Sequence, residues 1–79
     1  MAKLIEDPYG NLANAIIIKA CNDYRVALKK VKKNPENKEA LDEALSLERF
    51  FKSPWYQILT SVDGEFLIRK IRAEIAMWR

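Results

Sequence analysis

The chain has 79 residues, of which 14 are Lys or Arg and 11 are Asp or Glu, for a net charge of +3. That length makes one domain with a small core. The absence of histidine removes the commonest general base and metal ligand. The single cysteine excludes an internal disulfide. Hydrophobic residues make up 49% and charged residues 32%, a globular composition. With two glycines and three prolines there is little material for hairpin turns. The expected fold is therefore all-α, a compact bundle of about four helices, one of them short.

In chain order, residues 1–10 read as an N-terminal arm on a single domain spanning 1–79. Asp7-Pro8-Tyr9-Gly10 has the residues of a turn, and Asp7 or Asn11 suits a helix N-cap. The one apolar run, Ala15 to Ile18, is too short for a signal peptide or a membrane span, so no membrane role and a cytoplasmic location are expected.

The first helix is predicted over 12–33, with Ile16, Ile17, Ala20, Tyr24, Ala27, Leu28 and Val31 on one stripe. Ile18 falls outside that stripe. Cys21 lies within the helical pattern as a small buried hydrophobe. Lys29, Lys30, Lys32 and Lys33 crowd the last turns, where they oppose the helix dipole and where they could also meet phosphates.

Asn34-Pro35-Glu36 reads as an N-cap, a first-turn proline and a dipole-favourable acid. It opens a second helix over 35–51 with a wide stripe of Ala40, Leu41, Ala44, Leu45, Leu47 and Phe51. The opposite face is acidic. Glu39 and Glu43 have a spacing compatible with a metal, but without histidine they read as a solvated face, and no metal or other cofactor is expected.

Ser53-Pro54 repeats the same punctuation for a short third helix over 54–60, with Trp55, Ile58 and Leu59 turned inward. Tyr56, about 100° round the helix from Trp55, is then expected at the surface. Asp63 caps a fourth helix over 64–78, with Leu67, Ile68, Ile71, Ile75 and Trp78 inward and Arg69, Arg72 and Arg79 toward solvent.

Two stretches carry a resemblance. One is Glu48-Arg49-Phe50-Phe51 followed by Trp55-Tyr56-x-x-Leu59-Thr60-x-x-Asp63-Gly64-Glu65-x-Leu67-Ile68-x-x-Ile71-Arg72. The other is Leu4-Ile5-x-Asp7-Pro8-Tyr9-Gly10-Asn11-Leu12. Together they resemble a family of small proteins encoded in prophages and other mobile elements of Gram-positive bacteria. The resemblance implies a cytoplasmic accessory protein of such an element that binds a host factor, components of antiviral defence included. It brings no activity and no site residues.

No nucleophile with a base, no Gly-rich phosphate loop and no ligand cluster is present, so an enzyme is not expected. The expected function is stoichiometric binding to a protein partner of host or phage origin, inhibition of a host defence factor included. Phe50, Tyr56, Arg69 and Arg72 are the candidate contacts, because aromatics and arginines dominate interface hot spots. Self-association into a homo-oligomer is a second use of such a surface. The alternative is a nucleic-acid-binding regulator in which helices 54–60 and 64–78 form a helix-turn-helix. Glu65 at the start of the second of these opposes that reading.

Overall fold

The computed structural model describes residues 8–78, in four helices: α1 (Pro8–Lys33), α2 (Lys38–Phe51), α3 (Pro54–Leu59) and α4 (Gly64–Ala76). The chain is an all-α bundle, as its periodicity predicts. The expectations for residues 1–7 and for Arg79 lie outside the described residues.

α1 starts earlier than predicted. Pro8 to Gly10 are helical rather than part of a turn, so Asn11 is inside the helix and is not its cap. Proline in the first turn of a helix loses no intrahelical hydrogen bond, and its fixed φ suits the helix. At 26 residues, α1 is about 39 Å long, nearly twice the length of α2 or α4. It is the helix against which the other three pack.

α2 starts later than predicted. Asn34, Pro35, Glu36 and Asn37 form a turn in which the Asn37 N–H donates to the Asn34 carbonyl (2.9 Å). The Glu36 N–H donates to the Asn34 side chain (3.2 Å). Asn34 is thus the first residue of the turn, and Asn37 is the helix cap, its Oδ1 accepting from the Ala40 N–H at 3.1 Å. The local chemistry of Asn-Pro suits a turn and a cap equally, and the second asparagine took the cap.

The other two caps lie where the sequence puts them. Ser53 Oγ accepts from the Tyr56 N–H (3.2 Å), with Pro54 opening α3. Asp63 Oδ1 accepts from the Glu65 N–H at 3.1 Å.

The core joins Ala20, Tyr24 and Ala27 of α1 to Ala44 and Phe51 of α2, Tyr56 of α3, and Ile68, Ile71 and Ile75 of α4. Four aromatic rings tie the α2–α3 corner to α1. Phe51 meets Tyr24 and Tyr56 edge-on at centroid distances of 5.8 and 5.7 Å, and Phe50 packs on Phe51 and Tyr56 at 5.5 and 5.7 Å.

Two assignments to the core change. Leu41 and Leu45, expected on the buried stripe of α2, are exposed. They sit one position round from Ala40 and Ala44, about 100° away, and the stripe that meets the bundle is narrower than predicted. On α3 the faces are reversed: Tyr56 is 1% exposed, whereas Trp55 is 54% and Ile58 76% exposed.

Gly64 sets how closely α4 approaches α2. It is buried, and a Cβ there would fall on the backbone carbonyl of Phe51. Because the obstruction is backbone, Gly64→Ala should force the two helix ends apart and cost about 1–3 kcal/mol, the range for overpacked sites. Ile71, 1% exposed at the centre of the α4 stripe, should cost about 2–5 kcal/mol when cut to alanine. Thermal denaturation of both variants checks the packing. Melting temperatures unchanged from wild type would mean that the α4 interface is wrong.

Candidate functional site

Two features of the folded surface stand out, one polar and one apolar. The polar one is built on Tyr24, whose ring lies in the core with no exposed area. Its hydroxyl donates to Glu48 Oε2 at 2.5 Å and accepts from Arg72 Nε at 3.2 Å. Arg72 Nη2 also donates to the same Glu48 oxygen at 2.7 Å. One residue from each of α1, α2 and α4 meets at this point.

Burial raises the Tyr24 phenol, and its bond to Glu48 adds to the effect, so that its pKa is pushed up to about 12. Burial alone would also raise the Glu48 carboxyl. The bonds from Tyr24 and Arg72, together with the positive charge of Arg72, outweigh that, and the carboxyl is held below its usual range. The Arg72 guanidinium is raised, first by its bond to Tyr24 and then by its bond to Glu48.

The other end of α1 is tied as firmly. Lys32 Nζ donates to the carbonyls of Ile75 (2.8 Å), Ala76 (2.9 Å) and Trp78 (2.5 Å), and so caps the C-terminal end of α4. Lys29 and Lys33 lie over the Trp78 ring, at 5.0 and 5.9 Å from its centroid. Three members of the lysine cluster therefore serve the helix packed beside them. Arg25 adds an ion pair from α1 to Glu74 of α4 at 2.9 Å.

The four predicted contact residues do not form one patch. Tyr56 is buried, which corrects its expected place at the surface: it fits edge-on between Phe50 and Phe51, while Trp55 points out. Phe50 is half-buried in that same aromatic cluster. Arg72 is held by Glu48 and Tyr24. Arg69 is exposed, 4.0 Å from Glu65, and shares with Arg72, Lys52, Glu65 and Ile68 a shallow cleft of about 200 Å³.

The apolar feature lies where α1 crosses α3. Leu12, Ala13 and Ile16 of α1 and Trp55, Ile58 and Leu59 of α3 line a groove of about 290 Å³. Leu12 is 59% exposed, and none of the six is charged. Sequence reasoning missed this groove because it turned Trp55 and Ile58 inward. The available signal was the lack of any charged residue over 8–18 and over 54–62. Round α1 from the groove, Asn14, Ile17, Ile18 and Cys21 line a second cleft with Tyr56, Thr60, Val62 and Leu67. Burial raises the half-buried Cys21 thiol, opposed by nearby Arg25.

No helix among the described residues is long and apolar enough to cross a membrane. Comparison with protein-family models, curated proteins and solved structures finds no match.

The two buried tyrosines should behave oppositely. Tyr24→Phe leaves Glu48 short of a donor and should cost about 1–3 kcal/mol. The Tyr56 hydroxyl is buried with no hydrogen-bond partner among the described residues, so Tyr56→Phe should leave stability unchanged or raise it. Titration gives a second check. The lowered Glu48 carboxyl contributes stability that is complete above its ordinary value of 4.5 and is lost as pH falls through the folded value. The raised Tyr24 phenol contributes stability that is complete below pH 10 and is lost as pH rises to about 12. Denaturant unfolding across pH should therefore show a shallower acid decline for Glu48→Gln and a shallower alkaline decline for Tyr24→Phe. Declines parallel to wild type would remove the network from the stability of the fold.

Proposed function

We propose that this protein is a non-catalytic binding module that acts by occupying a protein partner, through the apolar groove between α1 and α3. The observation that carries this reading is the exposure of Trp55 and Ile58 beside Leu12 on an uncharged surface. A small bundle that leaves a tryptophan half in water, next to two large aliphatic side chains, has an anchor of the kind that dominates protein interfaces. The groove takes over the role first assigned to Phe50 and Tyr56, while Arg69 remains an exposed rim residue of a different face. The resemblance to mobile-element proteins directs the search for a partner to host proteins of the bacterial cytoplasm, defence factors among them.

The nucleic-acid reading has less behind it. The N-terminal turn of α4 offers Glu65 next to the Asp63 cap, Arg72 is engaged by Glu48, and Lys32 is engaged by the end of α4.

The test uses Trp55→Ala and Ile58→Ala, both at exposed positions, so that the helical circular dichroism spectrum and melting temperature should stay close to wild type. Binding to the partner should weaken at least about 30-fold per variant, the lower bound for a hot spot. Inhibition should saturate near one copy per target. Well-folded variants with full binding would place the site elsewhere, and turnover of many targets per copy would end the occupancy mechanism.

A further inference from the structure

We infer that the occupant of the α1–α3 groove is a second copy of this chain, seated by antiparallel pairing of the two α1 helices across their uncharged first halves. The inference rests on the reading above that the groove binds protein, and it puts a second copy of this chain there in place of a host protein.

The first argument is length. After the 34–37 turn, α2 runs back along α1 for 14 residues, about 21 Å. That return reaches only as far as the region of Ala20, the first buried residue among those described in α1. The part of α1 before it lies beyond α2; Ile17 and Ile18 turn toward Val62 and Leu67, whereas Leu12, Ala13 and Ile16 face α3, with Leu12 exposed and Ile16 half-buried. A second helix alongside would cover this segment as α2 covers the rest.

The second argument is charge. The chain carries a net +3, so two copies repel unless they meet on a neutral face with their cations far apart. No charged residue occurs from Pro8 to Ile18 or from Pro54 to Val62. Lys29 to Lys33 lie at the other end of α1, at least about 16 Å along the axis from Ile18. Antiparallel pairing sends the two lysine ends to opposite extremes of the pair, beyond a Debye length of about 8–10 Å. Parallel pairing would place them side by side. An acidic protein or a nucleic acid gains nothing from a face without charge.

The third argument is self-complementarity. A two-fold interface requires that residue i meet j and j meet i. Leu12 and Ile16 are four apart on one face of α1. With a two-fold axis at the level of Asn14, Leu12 of each copy lies opposite Ile16 of the other. Ala13 between them is small enough for close helix approach. Trp55 and Ile58 form the wall of the groove and would clasp the flank of the incoming helix.

This geometry makes a particular mixing experiment decisive. By sedimentation equilibrium, wild type should reach twice the chain mass in the micromolar range. Leu12→Glu alone and Ile16→Lys alone should each raise the dimer dissociation constant at least about 30-fold. An equimolar mixture of the two variants should return to twice the chain mass, because antiparallel pairing sets the new acid against the new base and leaves the other pair apolar. Dimeric wild type without that restoration overturns the antiparallel register, and so the inference. If Ile16→Lys proves unfolded by circular dichroism, Ile58→Glu at its more exposed position replaces it as the monomerising variant, and persistence of its dimer overturns the inference. Wild type at single chain mass up to millimolar concentration also overturns it. In that case, Trp55-dependent capture of a different protein preserves the binding-module reading, and loss of both ends that reading too.

Discussion

Three helices converge on the Tyr24 hydroxyl, which donates a hydrogen bond to Glu48 on α2 and accepts one from Arg72 on α4. Because the Arg72 guanidinium also reaches Glu48, each member of the trio has two partners in the others. A hydrophobic core of alanines, isoleucines and aromatics tolerates small slips of one helix along another. A short charge-assisted triangle does not, since any displacement of about an ångström leaves a mostly buried carboxylate without its donors. The aromatic corner of Phe50, Phe51 and Tyr56 then packs around a rotation and register already fixed by this contact. Gly64 completes the arrangement by letting the first turn of α4 touch the last turn of α2 through backbone.

Much of this fold is legible in the sequence, and the parts that are not have physical reasons. Ser53-Pro54 and Asp63-Gly64 mark helix starts unambiguously because each cap is used locally, by a backbone N–H two or three residues away. Asn34-Pro35-Glu36-Asn37 offers two asparagines, and only the path of the chain between α1 and α2 selects the second as cap. The long stripes of α1 and α4 give their buried faces correctly. α3 does not, because six residues span less than two turns and hold too few apolar positions to define a face. There the choice falls to tertiary fit. A tyrosine ring fills the gap between Phe50 and Phe51, and tryptophan is turned out.

The candidate site is less legible for the same reason. Trp55 and Ile58 become a surface only once Tyr56 is known to point inward. The triangle of Tyr24, Glu48 and Arg72 was invisible in sequence because its members are 24 and 48 positions apart, and two of them lie on faces that read as solvated. The lysine cluster shows the converse. Its position at the end of α1 fits that helix's own dipole, yet Lys32 donates to the last two carbonyls of α4 and to that of Trp78 just beyond it, and Lys29 and Lys33 cover the Trp78 ring.

That lysine clamp joins the end of the first helix to the end of the last one, across 43 to 46 positions of chain. A contact of that sequence separation cannot form until residues 75–78 have been synthesised and have left the ribosome. Until residues 75–78 clear the exit tunnel, α1 and α2 can meet as a hairpin with the Glu48 carboxylate lacking its arginine and the Lys32 ammonium lacking its carbonyls. α4 therefore docks fully only once residues 75–78 are outside the tunnel. Nascent copies on one messenger would expose the uncharged half of α1 throughout that interval.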